Sequence, residues 1–191
     1  VYVVIKRVQG LQVSRYQGNN TKRINYHFNG RLMKVLVLYF SKGGNTAKLA
    51  KDIAKGVEAG GGEALIKTTA DVTKDDFLNA AGVIAGSPVY FGVMAAELKK
   101  IFDEFVSTRR KMENKVGAAF ATGGHPTGGK ETTMMSIIQC MLIYGMMIVG
   151  DPMDASGHYG VGCVGAPDNT AADDGFKLGK RVARLCARLQ D

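Results

Sequence analysis

From residue 34 onward the chain alternates short aliphatic runs with longer stretches of helical spacing. "KVLVLYF" (34–40) is apolar at nearly every position, the pattern of a strand covered on both faces. "NTAKLAKDIAKGVEA" (45–59) sets Ala47, Leu49, Ala50, Ile53, Ala54 and Val57 at helical spacing, with lysines between them. A second strand is expected over 63–68 ("EALIKT") and a third over 82–90 ("GVIAGSPVY"), with a short helical piece before it. "AAELKKIFDEFVSTR" (95–109) is an amphipathic helix with Leu98, Ile101, Phe102 and Phe105 on its apolar face. "KVGAAFAT" (115–122) gives a fourth strand, "KETTMMSIIQCMLIYG" a helix, "MMIVG" (146–150) a fifth strand, and "AADDGFKLGKRVARLCARLQ" the last helix. The order predicts an α/β fold with a doubly wound, five-stranded parallel sheet. Ligands of such sheets bind beyond the carboxyl ends of the strands. The loops there start at Ser41, Pro88, Thr122 and Asp151.

Three of those loops carry unusual chemistry. "SKGGNT" (41–46) joins the first strand to the first helix. Its amides and the helix N-terminus can cradle a phosphate, its two glycines permit close approach, and Ser41, Asn45 and Thr46 can add hydrogen bonds. The plainer alternative is a turn with Asn45 or Thr46 as helix cap. "SPVYFG" (87–92) sets two aromatics on a loop, suited to a flat ligand or, alternatively, to Phe91 folded into the core. "ATGGHPTGGKET" (121–132) matches G-x-x-x-x-G-K through Gly124, Gly129 and Lys130. Glu131 stands where nucleotide binding with Mg²⁺ wants Ser or Thr, so an NTPase is not expected. A glycine-rich loop can instead wrap a ligand edge with its amides.

Taken in order, "VLYFSKGGNT", "GSPVYFG", "FATGG…TGGKE", "YGMMIVG" and "GHYGVGCVGAPDN" resemble the flavodoxin-like fold. More narrowly, residues 33 to about 190 resemble NAD(P)H:quinone oxidoreductases of the tryptophan-repressor-binding-protein (WrbA-like) type. The resemblance implies strand order 2-1-3-4-5, FMN as cofactor, NAD(P)H as electron donor and a quinone or similar small acceptor. It implies that Ser41, Lys42, Gly43, Gly44, Asn45 and Thr46 hold the FMN phosphate. Pro88, Val89, Tyr90, Phe91 and Gly92 would lie along the isoalloxazine ring, and Thr122, Gly123, Gly124, Gly128 and Gly129 would line the ribityl and ring edge. His158 and Tyr159 become substrate-side candidates on the same ground, with His125 in the third loop, for which a solvent-facing loop histidine is the favoured alternative. Tyr90 stands where the family often has Arg, and Tyr144 where it has a His near the flavin. These two are the candidates for a catalytic hydrogen bond. The family's tetramer-supporting segment after the second strand is short here ("IKTTADVTKDDF"), leaving a dimer or a tetramer open. A flavodoxin-type electron carrier is the alternative; such carriers are typically strongly acidic.

Charge and composition then sharpen the boundaries. The 191 residues are 46% hydrophobic with a formal net charge of +8. Six of the 25 basic residues (Lys6, Arg7, Arg15, Lys22, Arg23 and Arg31) and none of the 17 acidic ones precede Met33. The chain therefore divides into a basic extension, 1–32, expected as disordered chain or a hairpin outside the fold, and a nearly neutral FMN-binding domain, 33–191. Met33 reads as a natural start. The extension reads as upstream sequence or, alternatively, as an arm for nucleic acid or an acidic membrane surface; no base-reading motif supports the former. No apolar tract is long enough to span a bilayer. Three widely spaced cysteines, Cys140, Cys163 and Cys186, argue against disulfides or a zinc site and fit a reducing cytoplasm. No metal site is expected, and the methionines of 134–147 read as core packing.

Overall fold

The structure is a computed structural model that describes residues 3–8, 11–18, 21–28 and 31–189. Four strands come first: β1 (Val3–Val8), β2 (Leu11–Gly18), β3 (Thr21–Phe28) and β4 (Arg31–Leu32). They pair in consecutive antiparallel fashion into a sheet of their own. The Tyr26 amide donates to the Gly61 carbonyl at 3.0 Å, and the Met33 amide to the Tyr26 carbonyl at 2.9 Å. The Tyr26 side chain packs on the core of the following domain. The basic residues that motivate the nucleic-acid or membrane reading are described in backbone only, so that reading lies outside what the structure describes.

The remaining elements are β5 (Lys34–Tyr39), α1 (Asn45–Ala59), β6 (Glu63–Thr68), α2 (Lys74–Asn79), β7 (Gly82–Pro88), α3 (Ala96–Glu104), a 3₁₀ turn (Val106–Lys111), β8 (Val116–Gly123), α4 (Lys130–Ile143), β9 (Met147–Ile148), β10 (Val161–Val164) and α5 (Asn169–Arg188). The strands form one parallel sheet in the order β6-β5-β7-β8-β10, which is the expected 2-1-3-4-5 winding. Alternate residues of β5 feed opposite cores: Leu36 and Leu38 join one, with α3 and α4, while Val35 and Val37 join the other, with α1 and α5. That two-sided burial is why the run is apolar without a period.

The fifth strand differs from expectation. Instead of one strand over 146–150, two short pieces share the free edge of β8: β9 beside Val116 and Gly117, and β10 beside Phe120 to Gly123. Residues 149–160 loop out between them. Val161–Val164 alternates buried and exposed positions between glycines, too short and too glycine-rich to carry a strand signal. In the loop, Asp151 is buried and its Oδ1 accepts from the Gly160 amide at 3.3 Å.

Helices α1 and α5 touch backbone to backbone. A Cβ on Gly56 would collide with the Phe176 carbonyl, and one on Gly179 with the Ile53 carbonyl. These glycines allow α5 to reach the sheet beside α1 and so fix where α1 begins. Gly179→Ala must force the helices apart, with an overpacking cost of about 1–3 kcal/mol. Chemical denaturation should show that loss; an unchanged midpoint would contradict the close approach.

Candidate active site at the carboxyl end of the sheet

The first loop turns on glycine and is held by one serine. Gly44, the residue before α1, has φ +86°, where a side chain would be strained. Ser41 Oγ accepts from the Gly44 amide at 3.1 Å and from the Ala47 amide at 3.3 Å, so the serine of the loop, and neither Asn45 nor Thr46, closes the helix end. The amides of Gly43, Asn45 and Thr46 find no acceptor among the described residues. Gly43 and Gly44 have open space where a Cβ would stand. A helix N-terminus with free amides and added positive dipole favours an anion.

Thr46 points inward instead. Its hydroxyl lies 2.8 Å from that of Thr122, and both residues are buried. This bond ties the first loop to the end of β8 and so to the third loop. Beyond it, residues 124–128 are exposed. His125 is among them, its Nδ1 accepting from the Thr127 amide at 3.3 Å while the Gly128 amide donates to the His125 carbonyl at 3.1 Å. The loop closes on Gly129, with φ +97°, at the start of α4.

The second loop is the most constrained. The Val89 amide donates to the Thr122 carbonyl at 2.8 Å, and the buried Ser87 hydroxyl accepts from the Ala95 amide at 2.8 Å. Between these anchors, Tyr90 and Val93 exchange two backbone hydrogen bonds of 3.1 Å around a two-residue turn. Its central residues, Phe91 and Gly92, have φ +51° and +80°. A turn with both central φ angles positive normally takes Asn or Gly at its first central place; here it takes Phe. The result is a fully solvent-exposed phenyl ring, with Tyr90 beside it set edge-on to Phe40 at 6.4 Å between centroids.

Not every expected site residue joins this cluster. Tyr144 does not: it ends α4 at the opposite, amino end of the sheet, where the neighbouring Gly145 carbonyl accepts from Asn114 just before β8. Its ring is buried against Phe77 and Phe102 and its hydroxyl donates to the Phe102 carbonyl at 2.5 Å. Burial, with the nearby Asp103 charge, pushes its phenol up to about 12. Tyr144 is a core residue, and a helical pattern gives no sign of which end of the sheet its last turn meets. His158 and Tyr159 are exposed in the loop that splits the fifth strand, just before β10 enters beside Phe120, and so lie alongside the sheet edge below the three loops. Conversely, residues 165–168 do reach the carboxyl end, where the Gly165 amide donates to the Gly123 carbonyl at 2.8 Å. They were hidden because β10 was. Beside them Cys163 is buried, and burial together with the Asp168 charge raises its thiol to about 11, which leaves it protonated and unreactive.

The family model described as NADPH-dependent FMN reductase matches residues 64–159. The chain belongs to that family. It is an FMN-dependent oxidoreductase built on the flavodoxin-like fold, as the motifs imply. It is 31% identical, over 190 residues, to an NAD(P)H dehydrogenase (quinone) of Archaeoglobus fulgidus, spanning 83% of this chain and all of that one. It is 32% identical, over 166 residues, to a flavodoxin of Aquifex aeolicus, spanning 83% and 89%. Among solved structures, a WrbA-like flavodoxin from Agrobacterium tumefaciens superposes with TM-score 0.71 at 22% identity, covering 83% of this chain and 99% of that one, which speaks to fold alone.

The strained turn makes a prediction independent of any ligand. Holding Phe91 in the left-handed region costs about 1–2 kcal/mol, which glycine would relieve at the expense of unfolded-state entropy. Phe91→Gly should therefore match or exceed the parent in urea denaturation, by up to about 1 kcal/mol. A clear loss of stability would show that the exposed ring has a packing role.

Proposed function

We propose that this protein passes electrons from NAD(P)H through FMN to a quinone or similar small acceptor, with the catalytic domain running from Met33 onward. The observation that carries the reading is the donor cradle at α1: three free amides around an unhindered glycine turn, with Ser41 fixing its shape. The donor set fits a phosphate monoester such as that of FMN. The names of relatives in this family, NAD(P)H dehydrogenase (quinone), support the donor and the acceptor.

In this reading Ser41 to Thr46 bind the phosphate through backbone amides. Pro88 to Gly92 present a rigid apolar edge to the ring, with Phe91 and Tyr90 covering it and keeping water away. Thr122, Gly123, Gly124, Gly128 and Gly129 border the ribityl chain and ring edge, where small residues leave room for a flat group. When bound, FMN supplies the redox chemistry, and the protein supplies binding, orientation and electrostatics. Tyr90 would offer its hydroxyl from the loop along the ring, and the exposed His125 of the third loop would be available to a donor or acceptor. A second copy of the chain, as a dimer or tetramer, would be needed for the 149–160 loop, with His158 and Tyr159, to serve a site, namely a neighbour's.

A second reading, a flavodoxin-type carrier serving a protein partner, is favoured by the similarity to the Aquifex aeolicus flavodoxin. Against it stands the near balance of 19 basic and 17 acidic residues after residue 32, since carriers that dock by charge are strongly acidic. An anaerobic titration separates the two. Protein reconstituted with FMN should show a bound-flavin spectrum that NADPH or NADH bleaches directly to the two-electron reduced form, and a quinone should then restore it. Bound flavin that neither nucleotide bleaches would favour the carrier, and no bound flavin at micromolar protein would overturn both.

A further inference from the structure

The G-x-x-x-x-G-K match places a lysine where lysines are rarely found. Lys130 is 8% exposed, although lysine is almost never buried without a partner. It is the first residue of α4, so its ammonium sits at the positive end of that helix. Its hydrocarbon stem lies across two strands: a Cβ on Gly123 would stand 3.2 Å from it, and one on Gly162 3.4 Å. Nζ donates to the Pro126 carbonyl at 2.6 Å, beneath the exposed 124–128 loop. No carboxylate among the described residues lies within ion-pair distance of it. The acid of this region, Asp168, is already used, accepting from the Ala171 amide at 2.8 Å to cap α5. The two glycines leave the lysine room, and the Pro126 carbonyl holds its ammonium in place.

We propose that Lys130 is an electrostatic positioning residue of the redox site: its unpaired ammonium, held beneath the glycine-rich loop, offsets the negative charge that FMN gains on reduction. The inference rests on the FMN reading above. In the reductive half-reaction a carbon–hydrogen bond of the dihydronicotinamide breaks and two electrons and one proton pass together to the ring, where a nitrogen–hydrogen bond forms. The nicotinamide leaves as the oxidised cation and the ring is left with one negative charge. Lys130 exchanges no proton in that step. It provides a fixed opposite charge, tethered to the Pro126 carbonyl.

The test compares Lys130→Met, Lys130→Gln and Lys130→Arg with the parent, measuring the affinity of oxidised FMN and the midpoint potential of the bound cofactor. In both neutral variants, oxidised FMN should bind within about threefold of the parent while reduced FMN loses at least about tenfold, equivalent to a fall of about 30 mV for a two-electron couple. Lys130→Arg should keep the parent potential. Glutamine can still donate to the Pro126 carbonyl, so a parent-like potential in Lys130→Gln alone would show that the lysine acts by pinning the loop, and would overturn the proposal. An unchanged potential in both neutral variants, or an equal loss of oxidised and reduced FMN, would overturn it as well. A parent protein that binds no FMN would refute the cofactor reading itself, a result distinct from any of these.

Discussion

The covering of β5 on both faces is the constraint from which the site follows. Because Val35 and Val37 face one helical layer and Leu36 and Leu38 the other, the chain must leave the strand, cross to a helix and return in parallel. Each such crossover puts a strand's end and a helix's start at the same edge of the sheet. The free amides of α1, the tight turn after β7 and the glycine-rich loop after β8 therefore converge at one edge. The close glycine contacts of α1 with α5 hold the first of these at its height, and the Thr46–Thr122 hydrogen bond locks it to the third.

Within that frame the loops differ in how they are held. The first is shaped by backbone freedom at Gly44 and one serine hydroxyl. The second is forced: one backbone anchor, one serine anchor and a two-bond ladder over-determine a turn that its own sequence disfavours, and the strain appears as an aromatic ring pushed into solvent at the mouth of the site. Strain of this kind persists where surrounding structure supports it and is commonly found at ligand-binding positions. The third loop is the most exposed, and the buried charge beneath it is the feature that the packing alone does not account for.

Much of this was legible in the sequence, for physical reasons that also mark the limits. Helix α1 and strand β6 fall at the residues their patterns indicate, because an amphipathic face and a β-rich run bounded by turn residues are strong local signals. Strand β10 was invisible, since four residues at a half-exposed edge, one of them glycine and the other three next to glycines, carry almost none. Tyr144 misled because a residue's position along a helix says nothing about the end of the sheet at which that helix finishes. The family resemblance supplied a role for Tyr144 that a buried hydroxyl bonded to the Phe102 carbonyl cannot fill. Lys130 was read only as part of a failed motif; its burial needs Gly123 and Gly162 from two different strands, a coincidence that no local pattern encodes.

The central claim is that three loops at one end of the sheet form a single flavin site. Amide hydrogen exchange with and without FMN tests it most directly. The account predicts slowed exchange at residues 41–46, 88–92 and 122–129 together, with no change around Tyr144 at the far end of the sheet. Protection confined to one loop, or centred on the Tyr144 end, would contradict it.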